Sequence, residues 1–144
     1  DTNEVNLLQS ISFSYYTSNP DKGIEYGLKG VKLAKKISWK KGEAVCYHSL
    51  GVCYSFGKSN YPKALEYFLR ALKIAEELGY KSVIASNLGN IGIVYSSQSN
   101  YPKAIEYYGK ALKINEVIGN KKGIASILLS IGNVYSDQSN YLNS

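Results

Sequence analysis

Cys46, His48 and Cys53 are the residues whose types and closeness could suggest nucleophilic or metal chemistry. A thiolate beside an imidazole is a nucleophile and its base, and three such groups are most of a zinc site. Their spacing argues against both. On a helix, residues two or five apart do not share a face, and His48 stands at those distances from Cys46 and Cys53. The two cysteines, seven apart on one helix, lie about 10.5 Å apart along its axis. A disulfide spans Cα atoms within about 7 Å. No CxxC or HExxH spacing occurs, and the glycines do not follow a strand as a phosphate loop requires. The expectation is a chain with no catalytic residue, no metal and no cofactor. The thiols are then small, partly buried core groups, and His48 is a surface or groove residue.

The remaining chemistry-bearing residues are basic and aromatic. There are sixteen Lys, one Arg and 14 Tyr, and the net charge is +6. A basic surface attracts acidic partners or nucleic acid, and aromatic rings stack on bases. Most of the tyrosines, however, recur at fixed places in a repeat. Lys35, Lys36, Lys40, Lys41, Lys121 and Lys122 fall in loops and on the helices expected to face outward. Nucleic acid is therefore the weakest partner reading. At 144 residues and 44% hydrophobic content the chain can form a packed core. No apolar run approaches the roughly 20 residues of a membrane span, and the sequence as it stands shows no secretory leader. It starts at Asp1 and lacks Met, which reads as a piece of something longer. The compartment stays open: cytoplasmic, or periplasmic as part of a sensor.

What must position these groups is a repeat. SNYPKALEYFLRALKI (Ser59–Ile74) returns forty residues later as SNYPKAIEYYGKALKI (Ser99–Ile114), with twelve of sixteen residues unchanged. LGVCY, IGIVY and IGNVY begin at Leu50, Ile91 and Ile131, a spacing of 41 and then 40. The extra residue falls in SFGKSN (Ser55–Asn60), expected to be a turn. Each unit reads as two helices. Leu88, Ile91 and Tyr95 recur with helical period in the first, and Ala104, Tyr108, Ala111 and Ile114 in the second. Asn60 and Asn100 are placed to cap the second helix, with Pro62 and Pro102 in its first turn. A hairpin of this kind cannot bury its apolar stripe alone, so the copies must stack.

A small residue with Tyr three later, then Tyr, Ala, aromatic and Ala, resembles the tetratricopeptide repeat family. Those residues are Gly51, Tyr54, Tyr61, Ala64, Phe68 and Ala71. In the next unit they are Gly92, Tyr95, Tyr101, Ala104, Tyr108 and Ala111. Gly132, Tyr135 and Tyr141 continue the pattern. The usual period is 34 residues, so this is a long-period form. Glu76 and Glu116 stand where the family usually has a closing proline, which extends the second helix. Long repeats of this type resemble those of mitotic-spindle adaptors and of the input regions of bacterial sensor kinases and regulators.

The resemblance implies an all-α fold, a right-handed superhelical solenoid of stacked antiparallel hairpins. The expected division is a degenerate repeat over 5–40, repeats over 44–81 and 85–121, and a partial repeat over 125–144 holding a first helix only. Gly23, Gly27 and Gly30 replace Ala64, Phe68 and Ala71. They are expected to weaken the second helix of an N-terminal capping unit, at about 1 kcal/mol each. SNYLNS (Ser139–Ser144) is expected to open a turn, leaving Leu128, Ile131 and Tyr135 without a covering helix.

Family members bind peptides or helices in a concave groove lined by the first helices. Counting from the small residue of each unit places Gln9, Phe13, Tyr16, His48, Val52, Phe56, Ile93, Ser97, Leu129 and Asn133 on that face. Chaperone-binding members hold a terminal carboxylate with Lys, Asn and Arg. Here Gln9, Phe13, His48, Val52, Gly89 and Ile93 take those places, so no such clamp exists. The reading is a protein–protein interaction scaffold for an extended segment or amphipathic helix, part of a larger and perhaps signalling protein. The alternative is an oligomerisation element that pairs through its open C-terminal edge.

Overall fold

The computed structural model describes residues 1–143. The helices are α1 (Thr2–Ser14), α2 (Pro20–Lys36), α3 (Lys40–Val52), α4 (Tyr61–Leu78), α5 (Lys81–Ser97), α6 (Tyr101–Ile118) and α7 (Lys121–Asn143). Consecutive helices pack against one another, and the odd ones also touch in series: α1 on α3, α3 on α5, α5 on α7. This is a right-handed solenoid of antiparallel hairpins.

Local chemistry sets the helix ends. Asn19, Asn60, Asn100 and Asn120 each accept a backbone N–H three residues on, at 3.1–3.4 Å. Pro20, Pro62 and Pro102 sit in first turns, where a missing N–H costs no bond. Helices α4 and α6 run past Glu76 and Glu116, then stop at Gly79 and Gly119 with φ of 65° and 69°. Each stop is closed by a bond spanning five residues: Tyr80 N–H to the Ala75 carbonyl and Asn120 N–H to that of Asn115, both 2.9 Å. Ser38, Ser59 and Ser99 make the same left-handed step without glycine.

The one-residue insertion is found in the helix rather than in the loop. Helix α3 continues into a π-helical turn, Cys53–Gly57. The closing bond reaches from Asn60 N–H to the Tyr54 carbonyl, six residues back, where the next unit uses Asn100 to Tyr95, five back. One wide turn therefore absorbs the extra residue and α4 stays in register.

The hairpins lock by rings on glycines. A Cβ on Gly51 would lie 2.5 Å from the Phe68 ring, and one on Gly92 2.6 Å from that of Tyr108. Beside each lock, Tyr54 stacks on Tyr67 at 5.6 Å and Tyr95 on Tyr107 at 5.5 Å. The α2 seam inverts the scheme. Cβ atoms on Gly23, Gly27 and Gly30 would meet Cys53 Sγ at 2.7 Å, Leu50 Cδ2 at 2.7 Å and Cys46 Sγ at 2.6 Å. These glycines are receptors for α3, so their helix-propensity cost is offset by packing.

The expected turn at Ser139–Asn143 does not form: α7 is helical through Asn143, and Ser144 lies outside the described residues. The reason is Leu142, which stands where Pro62 and Pro102 follow the other Ser-Asn-Tyr sequences. Proline disfavours the helical region for the residue before it and lacks an N–H, whereas leucine lets the helix run on.

Candidate functional site

A cavity of about 360 Å³ opens among the odd helices. Helix α5 is its floor, through Ala85, Ser86, Gly89, Asn90 and Ile93. Phe13 of α1 and Tyr16 of the turn after it, with His48, Val52 and Phe56 of α3 and its π turn, form one wall. Gly123, Ser126, Ile127 and Ser130 of α7 form the other, and Asn115 and Asn120 close one end.

Small residues make this space. Gly89 lets α7 approach, its Cβ position being 3.2 Å from Ile127 Cδ1. Gly123 makes room for the amide pair, in which Asn120 Nδ2 donates to Asn115 Oδ1 at 3.2 Å. Asn120 Oδ1 also caps α7, so its amide is held from both ends. The side-chain amide of Asn90, half-buried on the floor, makes no hydrogen bond among the described residues.

His48 is fixed in both orientation and charge. Asn87 Nδ2 donates to the Val83 carbonyl at 2.8 Å, which turns Asn87 Oδ1 toward His48 Nδ1 at 3.2 Å. Nδ1 therefore carries the proton and Nε2 is left as an acceptor. The ring rests 5.7 Å from that of Phe68. Burial holds the imidazole pKa below its usual value, and the Asn87 bond only partly opposes this, so at neutral pH the ring is uncharged.

Of the sequence-derived groove residues, Phe13, Tyr16, His48, Val52, Phe56 and Ile93 line this cavity. Gln9 lines a neighbouring hollow of about 350 Å³ instead, with Asn6, Trp39, Lys41, Tyr80 and His48, and donates to Ser49 Oγ at 2.8 Å. Lys41, expected on the outer edge, lies 4.2 Å from the centre of the Tyr80 ring there. Ser97, Leu129 and Asn133 line neither space. Counting by offset treats every odd helix as floor. A helix acting as a wall shows one flank, so α7 contributes the Gly123–Ile127–Ser130 flank and turns Leu129 outward, 67% exposed. Asn90, Asn115 and Asn120 were missed. Nothing in the sequence marks these three amides as neighbours, because their convergence depends on the rotation of α6 and α7.

Cys46 and Cys53 are buried free thiols. Burial pushes Cys46 up to about 12 and raises Cys53, with the Ser12 hydroxyl opposing, so neither is a thiolate nucleophile at neutral pH. Among the described residues no group of three His, Cys, Asp or Glu could hold a metal ion, and no helix is long and apolar enough to cross a membrane.

Residues 82–143 match the family model described as tetratricopeptide repeat. No curated protein matches the sequence. Solved structures with the same fold include the apo form of RapI, at TM-score 0.84 and 24% identity over 98% of this chain. Aspartyl phosphate phosphatase F from Bacillus subtilis gives 0.88 and 19% over 99%, and BtubC from P. vanneervenii 0.82 and 17% over 99%. This chain covers 52%, 37% and 59% of those three chains, so it spans between a third and three-fifths of their lengths. At these identities the likeness shows the fold alone. Residues 82–143 thus carry the tetratricopeptide repeat pattern, and the hairpins before them repeat the same fold, with a period of 40 to 41 residues.

Proposed function

We propose that this chain is a protein–protein interaction scaffold that holds an extended peptide segment in the cavity above α5, as one part of a larger protein. The observation that carries this is the make-up of the cavity. It has an apolar wall and floor, an unpaired amide on Asn90, and hydroxyls and amides at the α6–α7 end. Apolar side chains of a peptide would gain from burial there, while its backbone needs donors and acceptors that do not depend on sequence. A signalling role rests on analogy with the fold's other hosts and is part of the proposal.

The test is a library of random heptapeptides, acetylated and amidated at their ends and displayed on beads. The wild-type chain is expected to retain a subset. Ile93→Arg places a charge on the cavity floor and is expected to retain none of it, with helical circular dichroism unchanged. Equal retention by both chains would move the site elsewhere.

A second reading concerns α7. Gly132 meets nothing where Gly51 and Gly92 carry rings, and Leu128 and Tyr135 are 52% and 58% exposed. That face suits another helix, which would make the chain an oligomerisation element. Light scattering showing a monomer at high concentration would end this reading.

A further inference from the structure

The π turn changes what the groove offers at one end. In α5 the residues that close the helix are Ser96 and Ser97, and neither reaches the cavity. At the same place in α7 stand Ser136 and Asp137, also absent from its lining. Of α3, α5 and α7, only α3, which holds the inserted residue, delivers a side chain from this place, Phe56, to the cavity wall. Gly57 permits it: a Cβ there would run into the Tyr16 carbonyl and the Pro20 ring, so the wide turn lies directly against the α1–α2 turn and the start of α2.

Phe56 completes an aromatic series. Its ring meets Tyr16 edge-on at 6.3 Å, and Tyr16 meets Phe13 at 5.3 Å. Phe13 and Phe56 remain 43% and 46% exposed although each meets Tyr16. Isolated exposed aromatics are ordinary, but three in contact along the wall of one cavity form a surface with room for another ring or a large aliphatic group. The lining has a second property. In a chain of net charge +6, no Lys, Arg, Asp or Glu lines this cavity. A charged side chain seated there would lose its water and find no partner.

We propose that the α1–α3 end of the groove is a side-chain subsite that selects an aromatic or large aliphatic residue of an uncharged peptide segment, with Phe56 as its specificity-determining residue. This rests on the peptide-groove reading above and adds to it the chemistry of the segment and its orientation: apolar anchor at the π turn, backbone toward the amides of α6 and α7.

The capped heptapeptide library tests it when the retained peptides are sequenced and their binding to two chains is compared. The wild-type chain is expected to retain peptides with Phe, Tyr, Trp or Leu at one position and no charged residue beside it. Phe56→Ser gives α3 the residue type that α5 carries, and Phe56 is exposed enough for the helices to remain intact by circular dichroism. That variant is expected to keep binding but to lose about tenfold in its preference for the aromatic position. An unchanged preference in Phe56→Ser, a retained set without that preference, or a set rich in Asp, Glu, Lys or Arg would overturn the subsite and leave the groove reading standing. A wild-type chain that retains no peptide would overturn both.

Discussion

The α3–α4 seam, within one hairpin, and the α2–α3 seam, between two hairpins, are filled with opposite distributions of volume. Between α3 and α4 the odd helix supplies a glycine, Gly51, and the even helix a ring, Phe68. Between α2 and α3 the even helix is bare at Gly23, Gly27 and Gly30, and α3 fills the space with Cys53, Leu50 and Cys46. Helix spacing depends on the summed volume between the two axes, not on which helix contributes it. A repeat can therefore depart from its pattern at several positions and still stack.

The largest test of this comparison removes the filler from one seam. Phe68 is fully buried, and Phe68→Ala leaves a cavity against Gly51. A loss of about 3–5 kcal/mol in urea unfolding is expected. A loss under 1 kcal/mol would mean that the ring does not lock the hairpin.

The next test overfills the other seam. The Cβ of Gly30→Ala would meet Cys46 Sγ at 2.6 Å, with every other neighbour at 3.5 Å or more. Alone it is expected to cost about 1–3 kcal/mol. Cys46→Ala in the same chain should return most of that, because the collision is removed and alanine is the better helix former. Strict additivity of the two changes would break the account, since touching residues that share one space must couple.

A smaller effect is expected from pH. His48 lies beside Phe68 at the lock, and burial lowers its pKa in the folded state. The unfolded chain then binds more protons than the folded one below the unfolded value of 6.5. Stability is full above that pH and declines as pH falls through it toward the lowered folded value, by at most about 1.4 kcal/mol per pH unit. Thermal melts of wild type and His48→Gln should diverge between pH 7 and 5, with the wild type the more sensitive. Parallel curves would show that the imidazole binds protons equally in both states, so that folding does not lower its pKa.

The smallest effect belongs to the outer face. Glu66 pairs with Arg70 at 2.9 Å and with Lys63 at 3.5 Å, all of them well exposed. Glu66→Ala is expected to cost no more than about 0.5 kcal/mol. A larger loss would mean that the outer face, and not the seams alone, holds the array.

The caps at Asn60 and Asn100, the breaks after Leu78 and Ile118 and the hairpin order were legible because each depends on residues within one helical turn or on a pattern written twice. Phe13, Val52 and Ile93 were placed on the cavity by the same counting. It failed at Leu129 and Asn133, where helix rotation decides which flank faces inward. It also read the α2 glycines as weakness, because their value lies in Cys46, Leu50 and Cys53 of the next helix.

The sequence by itself determined a register of 41 and then 40 residues, and helices capped by Asn and stopped by Gly or Ser. Those features are short-range, so the chain states them locally. Only the tertiary structure decided that the inserted residue becomes a π turn carrying Phe56 to the cavity, that Asn115 and Asn120 meet at its end, and that a glycine seam packs as fully as a ring-filled one. Each of these depends on the distance and rotation between helices, which are set by side chains distant in sequence and settle only when the whole stack has packed.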